Sequence, residues 1–359
     1  CTFSDYVQLR YGSLVNVYCT LVSLLYLCLY LTAEFSAIGD AVLALCDPAD
    51  VYDAAAAGGV TDKGHRLKLG LVLGVSLCTL LYTAIGGLPV SLVTDKVQGV
   101  GIFLFTFLVC IAAFTADSGA DGRSDRWEEV TTTGTGDPAA TGAGGSTYGN
   151  SFKMAFILIS ALTCANMMHS GFQQRVWAAE DQAKLRKGAI GGILLTIPLM
   201  VLYGVVGMVS YREYGPFLFP QFPSFAGFYA LNELNVGWQV CAVILTTMMV
   251  ASSADTIQTG VAAIFKPFTT YVLVRDWKAL PSEAEAPRTI VALNFVLAAV
   301  VVNVPAIVIS THRGDAHLSV LSLFVLADLV CATCVVPVLM GLNDRIHPSA
   351  AAAGCLAGA

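Results

Sequence analysis

The most restrictive feature of this chain is a series of apolar runs, each close to twenty residues or longer. A helix crossing a hydrocarbon layer of about 30 Å needs about 20 mostly apolar residues, because each residue rises only about 1.5 Å. Eight runs meet that requirement, near 13–38, 69–88, 97–116, 152–171, 188–209, 238–263, 288–310 and 318–342. They are too long for membrane strands and do not alternate, so helices are expected throughout. Composition agrees: 56% of residues are hydrophobic and 12% charged, against about 25% charged in a soluble domain. The chain therefore reads as an all-α polytopic integral membrane protein, in contact with lipid, with residues 1–359 forming one transmembrane domain. The tail "AAAAGCLAGA" reads as the start of a ninth run.

Between the third and fourth runs, residues 117–151 are rich in Gly, Thr and Asp and read as a flexible, water-exposed loop. Residues 210–230 hold three prolines and many aromatics, as an interfacial segment would. With the N-terminus placed in the cytosol, eleven of the 19 Lys and Arg residues fall inside and eight outside. That small excess makes the N-terminus cytosolic and the 117–151 loop extracytoplasmic. Net charge is −6 and no basic tract invites nucleic acid. Cys331 and Cys334 lie inside an apolar run without a second pair, so they read as small packing residues. No nucleophile–base pair, metal cluster or phosphate loop stands at credible spacing, which argues against an enzyme.

Ionisable groups inside the membrane are costly, and four mark candidate positions: Glu34, His169, Asp255 and Asp328. Each also has a plain reading as a helix-packing polar group. The stretch "MMVASSADTIQTG", residues 248–260, differs because its polar groups align. At 100° per residue Ser252, Asp255, Thr256 and Thr259 share one stripe, with Ser253 beside it. All five side chains offer oxygen, the ligand a hard cation prefers, so the stripe reads as a cation path or a proton site.

These residues bring a family into view. "VASSADTIQTGVAAIF" resembles the serine-pair helix of the sodium:solute symporters, the carriers that couple sodium to sugars, proline or carboxylates. "LYTAIGGLPVSLVTDKVQG" at 81–99 is similar to that family's tyrosine, paired glycines and Thr-Asp…Gln pattern. "FQQRVWAAED" at 172–181 is similar to its Gln-Arg and Ala-Ala-acid signature, and "TFSDYVQLRYG" to the lead into its third core helix. The four motifs occur in family order over most of the chain.

The resemblance implies a LeuT-type inverted-repeat fold with substrate and ion near the midplane. The eight runs then correspond to core helices three to ten, so the fold is incomplete and the chain is expected to be an N-terminally truncated member. It further implies symport of a small organic solute coupled to Na+ by alternating access, with the plasma membrane as location. The main sodium site, half present, would use the carbonyl of Met249 with Ser252 and Ser253. Asp95, Asp255 and Thr256 would line a second cation site or exit path. Asn166, His169, Glu34 and Asp328 are substrate-pocket candidates. An acid such as Asp328 suits an amine, polyamine or amino acid, while urea, sugar and carboxylate stay open. A proton-coupled symporter and a non-transporting sensor or channel-like relative are the alternatives.

Overall fold

The computed structural model describes residues 3–46, 62–115, 147–218, 228, 231, 235–274, 288–311, 320–343, 345 and 347–358. The described residues are helical nearly throughout and contain no strand. In chain order the helices are α1 (Phe3–Tyr11), α2 (Ser13–Cys46), α3 (Asp62–Thr115), α4 (Thr147–Met168), α5 (Ser170–Trp177), α6 (Gln182–Leu218) and α7 (Val236–Val274). Then follow α8 (Arg288–Ala298), a π-helical turn (Ala299–Asn303), α9 (Val304–Thr311), α10 (Val320–Met340) and α11 (Pro348–Gly358). Residues 117–146 of the expected loop lie outside the described residues, and 147–151 open α4.

Among the described residues six helices are long and apolar enough to cross a membrane, or seven with the bent pair α4–α5 taken as one span. The 54 residues of α3 would rise about 81 Å if straight, nearly twice a whole bilayer. They are broken at Gly87, whose φ of 57° and ψ of −153° lie where side-chain-bearing residues are strained. Pro89 follows and cannot donate to the preceding turn. Dividing α3 there restores the eight spans read from the sequence.

The core gathers α2, α7, α10 and the α8–α9 helix around side chains such as Tyr26, Leu31, Phe35, Ile257 and Val302. Cys331 and Cys334 are fully buried in it, as packing residues should be. By contrast α6 leaves Ile193, Leu194, Ile197 and Met200 exposed, the surface a lipid tail would cover. Gly12, at φ 83°, turns the chain between α1 and α2. That turn lays α1 across the C-terminal end of α10. There Tyr11 donates to the carbonyl of Val338 at 2.8 Å and Arg10 to that of Gly341 at 3.1 Å. Arg10 thereby satisfies a carbonyl just past the helix end, and Tyr11 adds a second donor to the carbonyl of Val338, which already takes the N–H of Gly341. Tyr18 of α2 likewise reaches the carbonyl of Cys355 in α11. The first and last helices therefore share one end of the bundle, as an even number of crossings requires.

The break at Gly87 makes a specific demand. Gly87→Ala in the full-length protein should lower the unfolding midpoint in detergent by the equivalent of about 1–3 kcal/mol. Gly99→Ala, where a Cβ would meet open space, should change it little. Equal midpoints for the two variants would mean that no strained turn exists at Gly87.

Candidate ion and solute site

Helix α7 carries the polar stripe into the centre of the bundle, and two groups of residues meet it. The first surrounds Asp255, which is fully buried. Its Oδ2 accepts from Tyr82 at 2.9 Å and from Thr94 at 3.2 Å. Twelve residues of straight helix rise about 18 Å, more than those two side chains reach together. Only the bend at Gly87 lets both halves of α3 close on one carboxylate. On the other side Oδ1 accepts from Thr256 at 3.3 Å and lies 3.5 Å from a guanidinium nitrogen of Arg175.

Arg175 is shared. Its Nε and Nη2 reach Asp95 Oδ2 at 3.0 and 2.6 Å, a two-nitrogen grip on a single oxygen. Nη2 also donates to Ser91 at 2.9 Å. The other oxygen of Asp95 accepts from Ser252 at 2.9 Å. Asp95 thus pairs with Arg175, while its neighbour Lys96 stands exposed. The network holds two carboxylates and one guanidinium, hence one net negative charge when both acids are ionised.

Arg175 comes from α5, and its position depends on a break. The run expected at 152–171 is α4 and α5, bent by 67° at His169. Ser23 donates to the carbonyl of Met168 at 2.9 Å and Gln173 to that of Met167 at 2.7 Å, so side chains occupy carbonyls freed by the bend. Beyond it α5 lies tightly on α7: a Cβ on Gly171 would stand 2.3 Å from the carbonyl oxygen of Thr256, and one on Gly260 would stand 2.6 Å from the nitrogen of Gly171. Two glycines facing each other are what let the backbones approach so closely.

The second group lies at the bend itself. His169 is buried, stacked on Phe172 at 4.2 Å between ring centroids and met edge-on by Tyr26 and Tyr30 at 5.9 and 6.0 Å. Its Nδ1 has no hydrogen-bond partner. Tyr30 also packs edge-on against Phe324 of α10 at 5.0 Å. Glu34 and Asp328 both lie near Tyr26 and Tyr30. Asp328 is 2% exposed with Oδ1 unpartnered, and Glu34 lies beside Ser253. Neither acid has an ion-pair partner among the described residues.

Most residues singled out in the sequence fall into these groups. Ser252, Asp255, Thr256 and Asp95 join the Arg175 network, while Ser253, Glu34, His169 and Asp328 join the aromatic one. Asn166 is exposed on α4 and belongs to neither. Met249 is 38% exposed, and its sulfur accepts from Tyr203 of α6 at 3.5 Å. Tyr82 and Arg175 were not singled out as site residues. Both stand in the quoted motifs, as a polar group within an apolar helix and as a base beside a spanning segment. Among the described residues no group of three or more His, Cys, Asp or Glu side chains is placed to hold a metal.

Comparison with known proteins covers nearly the whole chain. The sodium:solute symporter family profile matches residues 1–358. A spermidine transporter, DUR31, of Candida albicans is 22% identical over 345 residues, which are 95% of this chain and 56% of that protein. The chain thus spans little more than half the length of the curated relative it matches.

The glycine contact can be tested without naming a solute. Gly171→Ala should push α5 from α7 and lower the unfolding midpoint in detergent by the equivalent of about 1–3 kcal/mol for overpacking. An unchanged midpoint would mean that the close approach is not needed.

Proposed function

Because the chain belongs to the sodium:solute symporter family, we propose that it is the cation-coupling and solute-binding part of a secondary transporter that moves a small organic cation with sodium. Membership places it among integral membrane solute transporters. The finer reading rests on charge. The Asp95–Arg175–Asp255 network carries one uncompensated negative charge, and an ionised group at membrane depth costs at least about 2.5–3.5 kcal/mol unless it is paired. One monovalent cation beside Asp255, Thr256 and Ser252 removes that cost. Met249 and Ser253 supply the neighbouring carbonyl and hydroxyl of the main site implied by the family.

The aromatic group suits the solute. Two acids without a basic partner, with tyrosine rings nearby, are the surroundings a diamine or polyamine seeks: carboxylates for the ammonium groups and ring faces for the chain between them. A relative named as a spermidine transporter supports the same class. Broken helices form the solute site in inverted-repeat transporters, and the His169 bend lies beside these acids. Alternating access would move α5 and its Arg175 relative to α3 and α7. The reading places the protein in the plasma membrane with its N-terminus cytosolic, acting as a carrier and not as an enzyme.

Uptake by the full-length protein separates the parts of this reading. Asp255→Asn should lower apparent sodium affinity at least tenfold and flatten the sodium dependence. Ser252→Ala and Ser253→Ala should impair it further. Glu34→Gln and Asp328→Asn should raise the KM for a polyamine about tenfold while sparing sodium affinity. If Asp255→Asn abolishes a pH dependence and leaves sodium dependence intact, the coupling ion is the proton. Uptake indifferent to both ions would make the protein a sensor or channel-like relative.

A further inference from the structure

Helix α7 carries one polar residue that the acidic network does not use. Gln258 is 1% exposed and, like Asp255, faces the first half of α3, one turn further along α7. Its Nε2 donates to Thr79 Oγ1 at 3.0 Å and lies 3.4 Å from the carbonyl oxygen of Ser76. A second amide approaches the same spot. Asn303, 3% exposed, closes the π-helical turn Ala299–Asn303, and its Nδ2 donates to Ser76 Oγ at 3.3 Å. Ser76 and Thr79 are themselves 4% and 1% exposed. The carbonyl oxygens of both amides, Gln258 Oε1 and Asn303 Oδ1, have no partner. An orphaned amide oxygen in the protein interior costs about 1–3 kcal/mol, and both amides that reach Ser76 and Thr79 carry one.

We propose that Ser76, Thr79, Gln258 and Asn303 form an uncharged site for one monovalent hard cation of sodium's size. Turning each amide about its terminal torsion exchanges N and O without steric change. Turning breaks no bond at the outward oxygens, which have no partner, and the cation takes the place of the inward N–H bonds. Turned, the two amide oxygens join Ser76 Oγ, the Ser76 carbonyl and Thr79 Oγ1. The hydroxyl hydrogen of Thr79 is already given to the carbonyl of Val75 at 2.9 Å, which leaves its lone pair free. A cation about 2.4 Å from each ligand, the distance for a hard cation of this radius, sets adjacent ligands about 3.4 Å apart. The inward atoms are spaced at 3.0, 3.3 and 3.4 Å. The set carries no charge, so a divalent ion would be left unneutralised in a low-dielectric core, whereas a monovalent one asks less. A π-helical turn frequently marks a functional position in a helix, and here it delivers Asn303.

The site stands apart from the acidic one, one turn along α7, and is tested with that one disabled. Sodium binding is measured with radioactive sodium on the full-length protein in lipid nanodiscs. In a background carrying Asp255→Asn, Ser252→Ala and Ser253→Ala together, binding of one ion per protein should persist and should disappear on adding Gln258→Leu. Asn303→Asp, which places a charge among the ligands, should tighten sodium binding at least threefold, a gain that misfolding does not produce. No residual binding in that background would overturn the proposal while leaving the reading of the acidic site intact. Residual binding indifferent to both Gln258→Leu and Asn303→Asp would mean that the cluster holds bound water only.

Discussion

A carboxylate fully buried among the helices, on the long unbroken helix α7, governs this architecture. Asp255 takes hydrogen bonds from both halves of α3 and from its own helix, and it shares Arg175 with Asp95. Each donor has a backbone requirement. The halves of α3 converge only because Gly87 accepts a conformation closed to other residues. Arg175 arrives only because α5 turns at His169 and rests on α7 through Gly171 and Gly260. The breaks and close approaches serve one carboxyl group that lipid cannot solvate.

The adjacent serines on α7 divide between the two polar groups. Ser252 donates to Asp95, and Ser253 stands beside Glu34. In our reading this is where ion and solute meet: a cation drawing Ser252 from Asp95 acts on the same helical turn that holds Glu34. Coupling then needs no long pathway, only one turn of helix whose two hydroxyls have competing partners.

The length and spacing of apolar runs made the spans legible, and period 3.6 made the α7 stripe legible. Asp95 and Asp255 were both marked in the sequence, and the structure sets them on one guanidinium. What periodicity cannot give is the partner across a helix interface, so Arg175 and Tyr82 stayed within motifs without an assigned role. Lys96 is next to Asp95 in sequence, yet a helix turns neighbouring residues to different sides. The bend at His169 was also hidden: "MMHSGF" contains no proline and the apolar run continues around it. Only the contact between Gly171 and α7 shows why the helix turns there. The π-helical turn before Val304 leaves no mark in a run of valines.

The central claim is that Arg175 is a tethered cation that leaves the two acids one charge short, so that a free cation completes the site. Equilibrium sodium binding to full-length Arg175→Gln tests it most directly. Removing the guanidinium takes the network from one net negative charge to two. The account therefore predicts at least several-fold tighter sodium binding, even as transport falls. Loss of sodium binding to the level of Asp255→Asn would contradict it, because Arg175 would then be holding the site together and not sharing it with the ion.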